Sequence, residues 1–203
     1  MKNHEGKFSQ FKRGVLGDFS PLINRAYRLA EYAHRGQNRK SGDPYLTHPV
    51  AIMNYLRSMG VEEEVLIIAL LHDVVEDTPV LLKDIEDLFS PSVATAIYFL
   101  SKGTKSYFVN RESRDISYLK KLEAGFCYSY KVYLVKLVDR LHNLSTLHNI
   151  SPDKRHSKLR ETVMVYLPLF KNYLHLVPEA HQAQCEKIIA DMDEILNDYL
   201  KEV

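Results

Sequence analysis

The chain has 203 residues, 45% of them hydrophobic and 26% charged, with a formal net charge of +1. That length suits one domain with its own core and would cramp two. The charge balance excludes the broad basic field of a nucleic-acid-binding protein. The longest apolar run, Val65 to Leu71, is far short of the ~20 residues that span a bilayer. Met1 to Gly14 is polar and lacks the apolar centre of a signal peptide. The two cysteines, Cys127 and Cys185, have no metal-binding spacing. The expectation is a cytoplasmic protein with reduced thiols and no membrane or nucleic-acid partner.

In chain order, residues 1–18 are expected to be loosely ordered. Ser20-Pro21 then opens a helix, with a hydroxyl for the N-cap and a proline fit for the first turn. Leu22, Ala26, Leu29, Ala30 and Ala33 form its apolar stripe, and Gly36 closes it. Gly36 to Pro49 reads as a basic loop with Gly42 and Pro44 as turn residues. Val50, Met53, Tyr55 and Leu56 mark a second helix ending near Gly60, and Glu62 to Asp77 a third, buried on most sides. Thr78-Pro79, Ser90-Pro91 and Ser151-Pro152 repeat the start signal, and two helices follow from the stripes Leu81, Ile85, Leu88 and Val93, Ile97, Leu100. Lys102 to Asp115 is polar and reads as a mobile loop. Tyr128 to Leu147 is a long central helix, since length and stripe outweigh the strand-like Val132-Tyr133-Leu134-Val135. Leu159 to Tyr173 is a helix bent or broken at Pro168, and Ile188, Met192, Ile195, Tyr199 and Leu200 mark a closing one. No alternating strand pair and no repeat occurs. The fold class is all-α, in a single domain spanning 1–203.

The densest chemistry lies at His72-Asp73-Val74-Val75-Glu76-Asp77. On one continuous helix His72 would lie above Glu76 and Asp73 above Asp77. Three carboxylates and an imidazole entered from an apolar run are costly to bury unless a cation compensates them. A solvated acidic helix end is the plain alternative. His48, at a helix mouth before proline, reads from local sequence as a capping residue more readily than as a ligand. Asp139, inside the apolar stripe of the central helix, suits either a ligand or an ion pair with Arg140. Together His48, His72, Asp73 and Asp139 form a mixed nitrogen-oxygen set suited to a divalent ion and hydrolysis. Glu76 and Asp77 would then handle protons. Arg39 and Lys40, solvated loop charges in the plainer reading, would neutralise phosphate. His142 and Tyr133 read as core or supporting residues, and His34, His148, His156 and His175 as surface or structural ones.

Three segments carry a resemblance. Arg39-Lys40-Ser41-Gly42-Asp43-Pro44-Tyr45-Leu46-Thr47-His48-Pro49, Ala69 to Pro79 and Val135 to Asn143 strongly resemble the hydrolase domain of Rel/SpoT-type alarmone enzymes. That family is a branch of the HD phosphohydrolase superfamily. The match runs over roughly residues 22–170 and includes Arg160-Glu161-Thr162 and Tyr166-Leu167-Pro168. It implies an HD-type helical bundle with the metal between central helices, and a manganese ion on His48, His72, Asp73 and Asp139. It implies Glu76 and Asp77 as the catalytic pair, and Arg39, Lys40, Ser41, Asn143 and Thr146 as nucleotide-binding residues. The implied reaction removes the 3′-pyrophosphate of guanosine tetra- or pentaphosphate, as a stand-alone small alarmone hydrolase. Ser145, where the family often has arginine, and Leu100-Ser101-Lys102, for a usual Val-Thr-Lys, depart from the pattern. An adenosine alarmone or NADPH as substrate stays open, as does a non-catalytic nucleotide-binding module. The oligomeric state stays open as well.

Overall fold

The computed structural model describes residues 19–201; the expectation for residues 1–18 lies outside them. Among the described residues there is no strand, only an isolated antiparallel bridge between Asn38 and Pro44 inside the first loop. The helices are α1 (Pro21–Ala33), α2 (Thr47–Ser58), α3 (Glu63–Leu71), α4 (Val74–Asp77), α5 (Leu82–Leu88) and α6 (Pro91–Leu100). After a short 3₁₀ turn (Lys105–Tyr107) come α7 (Arg111–Tyr128), α8 (Tyr130–Ser145), α9 (Pro152–Glu161), α10 (Leu167–Tyr173) and α11 (Glu179–Lys201).

The hydroxyl-proline signals act as their chemistry dictates at two places. Ser20 accepts from the Ile23 N–H at 3.2 Å, and Ser90 from the Val93 N–H at 3.1 Å, each satisfying an orphan donor of the first turn. Gly36 has a φ of +79°, the left-handed conformation needed to turn the chain after α1.

Helix α3 is the axle of the bundle. Every residue from Val65 to Leu71 is buried, and α3 packs on α1, α2, α6 and α8. Each of its fully buried leucines contributes about 1.5–3 kcal/mol relative to exposure. Helix α8 packs against α2, α7 and α11, and the Tyr133 hydroxyl donates to the Phe170 carbonyl at 2.9 Å, tying α8 to α10.

Four expectations need correction. The third helix does not run unbroken from Glu62 to Asp77: α3 ends at Leu71, and His72-Asp73 form a turn before α4. Asp73, with φ −98° and ψ −10°, stays in the right-handed region but departs from ideal helix angles. Thr78-Pro79 does not start α5; the Thr78 hydroxyl donates back to the Val74 carbonyl at 2.6 Å. The helix starts at Leu82, where Asp84 accepts from the Leu81 N–H at 2.9 Å. Residues 111–115, expected in a loop, open α7, because Asn110 accepts from the Ser113 N–H at 2.8 Å as an N-cap. Ser129 separates α7 from the central helix, which begins at Tyr130.

Pro168 bends rather than breaks its segment. It lacks an N–H and its ring crowds the carbonyl four residues back. The backbone widens into a π turn at Thr162–Tyr166 and then continues as α10.

Candidate functional site

The turn at His72-Asp73, the start of α2 and the middle of α8 meet in the interior. His48 and His72 are 1% and 4% exposed and Asp139 6%. Ligand atoms of these three lie within 4.8 Å of one another. The His48 Nε2 is 3.2 Å from Asp139 Oδ1 and 3.7 Å from Asp73 Oδ2. The His72 Nε2 is 3.2 Å from Asp73 Oδ2 and 3.9 Å from Asp139 Oδ1.

The donor chemistry of this group fits a divalent cation. His72 Nδ1–H donates to the Ala69 carbonyl at 2.8 Å, so Nε2 carries the lone pair. That Nε2 is buried without a hydrogen-bond partner, yet faces carboxylate oxygens. A lone pair against a carboxylate is repulsive unless a proton or a metal ion lies between them. Burial would lower the His72 pKa, but Asp73 and Asp139 overcome this and raise it to about 9. His48 is different: burial keeps its pKa low. Its Nδ1 lies 2.9 Å from His142 Nδ1, and burial together with His48 and Arg39 pushes His142 down to about 4. A neutral His142 accepts from His48 Nδ1–H, which leaves the His48 Nε2 lone pair facing Asp73 and Asp139.

The carboxylates are held by neighbours, of which Asn143 was singled out from the sequence but Lys136 and Tyr45 were not. Lys136 Nζ is 2.9 Å from Asp139 Oδ2, and Asn143 Nδ2 donates to Oδ1 at 2.6 Å. Despite its burial, Asp139 is held well below the usual carboxylate range by Lys136 and the two histidines. Arg140 does not pair with Asp139; it binds Glu161 at 3.0 Å and lies 3.5 Å over the Tyr166 ring. The Tyr45 hydroxyl is 2.6 Å from Asp73 Oδ2 and 2.9 Å from Asp77 Oδ2. A phenol has one proton for two carboxylates. Burial, then the charge of Asp73, raises the pKa of Asp77, so of the two carboxylates Asp77 is the one better suited to take up a proton.

Glu76 does not lie over His72. It points to the other wall, accepting the Lys102 N–H at 2.7 Å and facing Arg114 at 3.4 Å. The segment 102–115 therefore closes around a catalytic candidate, with Lys102 and Arg111 both bound to Asp115.

Two adjoining cavities open from this centre. The larger, about 660 Å³, contains His48, Asp73, Glu76, Asp77, Lys136 and Asp139. The smaller, about 420 Å³, contains Lys40, Ser41, His142, Thr146 and Leu147. Arg39, whose guanidinium lies 3.4 Å from Asn143 Oδ1, lines both, as does Asn143. Thr146 turns its hydroxyl proton to the His142 and Asn143 carbonyls, at 3.1 and 3.3 Å. All eleven residues singled out from the sequence thus fall at the centre or along these cavities. Tyr45, Lys102, Arg114 and Lys136 did not emerge from it, with a tyrosine four residues before His48's proline the one local cue, whereas His142, read there as a core or supporting residue, lies against His48.

A sequence profile described as the HD domain matches residues 26–175. The bifunctional (p)ppGpp synthase/hydrolase SpoT of Escherichia coli (strain K12) is 43% identical over 147 residues, 72% of this chain and 21% of that protein. A guanosine-3′,5′-bis(diphosphate) 3′-pyrophosphohydrolase of Haemophilus influenzae is 39% identical over 141 residues, 70% of this chain and 21% of that one. The chain spans about a fifth of the length of these curated relatives. A solved structure described as a metazoan ortholog of SpoT that hydrolyses ppGpp superposes with a TM-score of 0.67 at 24% identity, over 90% of this chain and 98% of that one. The lmo0812 protein of Listeria monocytogenes EGD-e superposes with a TM-score of 0.52 at 22% identity, over 74% and 98%. At those identities the two structures speak for the fold alone.

Proposed function

Because this chain belongs to the HD-domain family, we propose that it is a metal-dependent phosphohydrolase that removes the 3′-pyrophosphate of guanosine 3′,5′-bis(diphosphate) and of the pentaphosphate. The products are GDP or GTP and pyrophosphate. The observation that carries this reading is the orphaned, buried Nε2 of His72, aimed with His48 Nε2 at the carboxylates of Asp73 and Asp139. Relatives named for this hydrolysis are similar over most of the chain, and that similarity favours the guanosine substrate.

His48, His72, Asp73 and Asp139 would hold the ion, proposed to be manganese. Such an ion, once bound, supplies Lewis acidity toward water and phosphoryl oxygen. The protein supplies the rest. Asp77, with its raised pKa and its contact to Tyr45, takes the proton of the attacking water. Glu76, fixed by the Lys102 N–H and Arg114, orients that water and the departing group. Arg39 offers a planar pair of donors to phosphate; Lys40, Ser41, Asn143 and Thr146 line the side that takes the nucleoside. Closure by segment 102–115 would exclude bulk water from the reacting phosphorus. The activity is proposed to be cytoplasmic and directed at a free nucleotide; no described helix is long and apolar enough to cross a membrane.

The test is incubation of metal-free protein with guanosine 3′,5′-bis(diphosphate), with and without manganese, while following pyrophosphate by ³¹P NMR. Manganese-dependent release is expected. Turnover confined to the adenosine analogue or NADPH in parallel reactions would overturn the substrate, and no turnover of any would overturn the hydrolase reading.

A further inference from the structure

The basic residues around the two cavities are not equivalent. Lys102, Arg111, Arg114 and Lys136 each face a carboxylate: Asp115 for the first two, then Glu76 and Asp139, at 2.9, 3.5, 3.4 and 2.9 Å respectively. Their charge is already spent on the scaffold. Lys158 of α9 has no ion pair among the described residues, and the same holds for Arg39, which bonds to Asn143 instead. Glu161, one turn further along the same helix, is committed to Arg140 at 3.0 Å. Lys158 is nonetheless exposed to solvent at the cavity walls, and it lines both cavities, with Arg39, Tyr45 and Asn143. These four residues form the waist between the acidic centre and the Arg39-Lys40-Ser41 loop.

A nucleotide phosphorylated at two positions has two anionic ends to satisfy. The end that reacts belongs at the acidic centre. The other must meet a cation whose charge is not already cancelled, within reach of the waist. Partial desolvation in the cleft, then the charges of Arg140 and neighbouring Lys136, lower the pKa of Lys158. Lys158 therefore brings to the waist a cation outside the ion pairs of the scaffold, which an anion bound there would neutralise. Lysine is suited to this, as a compact point charge on a flexible stem.

We propose that Lys158 sets specificity by binding the 5′-phosphates of the nucleotide, the group that is not cleaved. This rests on the hydrolase reading above. Lys158 touches substrate but none of the atoms whose bonds change, so its loss acts on affinity rather than on chemistry.

The experiment compares two substrates on the manganese-loaded full chain: guanosine 3′,5′-bis(diphosphate), and guanosine 3′-diphosphate with a free 5′ hydroxyl. Lys158→Met keeps the aliphatic stem. It is expected to raise KM for the first substrate about tenfold or more, the scale of a hydrogen bond to a charged group, with kcat changed less than about threefold. KM for the second substrate should stay unchanged, and Lys158→Arg should recover most of the loss on the first. An equal rise in KM for both substrates, or no rise, would overturn the proposal. So would the selective loss appearing in Arg111→Met instead. In all three results the unsubstituted protein still turns over substrate, which leaves the hydrolase reading standing. Failure of the unsubstituted protein to turn over either substrate would remove both.

Discussion

Lys136→Met isolates the electrostatic support of the metal centre. Lys136 and Asp139 are 14% and 8% exposed at the side chain and 2.9 Å apart. Asp139 drives the Lys136 pKa well above its ordinary value against the burial that would lower it. Methionine keeps the stem that runs beside the Tyr118 and Tyr166 rings and removes only the charge. Breaking a buried pair by deleting one partner costs ~3–5 kcal/mol. Asp139 keeps the Asn143 donor and two imidazoles, so the lower end, about 3 kcal/mol, applies to metal-free protein. For a chain of this size that is a fall in Tm of ~6–12 °C. The sign reverses for the ion. Lys136 repels any cation at the centre, so its removal should strengthen metal binding, and saturating manganese should shrink the Tm deficit. Differential scanning calorimetry with chelator and with manganese measures both. The double variant Lys136→Met with Asp139→Asn should recover most of the metal-free loss, because it leaves no uncompensated charge. A metal-free loss under about 1 kcal/mol, or a deficit that manganese does not reduce, would refute the assignment of Lys136 as counter-charge to Asp139.

Glu76→Ala should bind manganese like the unsubstituted protein yet turn over ~10²-fold more slowly, by single-turnover assay against metal titration; unchanged kcat would remove Glu76 from the chemistry. His142→Leu should weaken manganese binding by ~10- to 100-fold, because His48 loses the acceptor that fixes its tautomer; calorimetric titration checks this. In metal-free protein the His72 pKa of about 9 lies above the ordinary value of 6.5. Its contribution to stability is therefore complete below about pH 6.5 and is lost as pH rises through about 9. Melting in chelator across that window should show the decline, and His72→Gln should flatten it. Gly125→Ala should cost about 1–3 kcal/mol, because a Cβ there would lie 2.6 Å from that of Phe99; an unchanged Tm would show that α6 and α7 can separate at no cost.

Much of the bundle was legible because its signals are local. The Val65–Leu71 run announces an axle helix, and Ser20-Pro21 and Ser90-Pro91 announce where helices begin. Helix α7 was missed because only Tyr118, Leu122, Gly125 and Phe126 are buried along 18 residues, too sparse a stripe to read. The turn at His72-Asp73 was missed because nothing local breaks the helix; the break is compensated by contacts with residues far along the chain. Distance in sequence also hid the supporting residues. Tyr45 reaches Asp73 across 28 positions, Arg114 reaches Glu76 across 38, and His142 reaches His48 across 94. The residue types of the candidate ligands were readable one by one. Their partners were not, since hydrogen-bond geometry decides them.

Titration of metal-free protein with manganese, following the free ion by electron paramagnetic resonance, bears most directly on whether these four side chains make one cation site. Stoichiometric uptake of a single ion by the unsubstituted chain, abolished in Asp139→Ala and in His72→Ala, is the predicted result. Uptake that survives both substitutions, or no uptake by the unsubstituted chain, would contradict it.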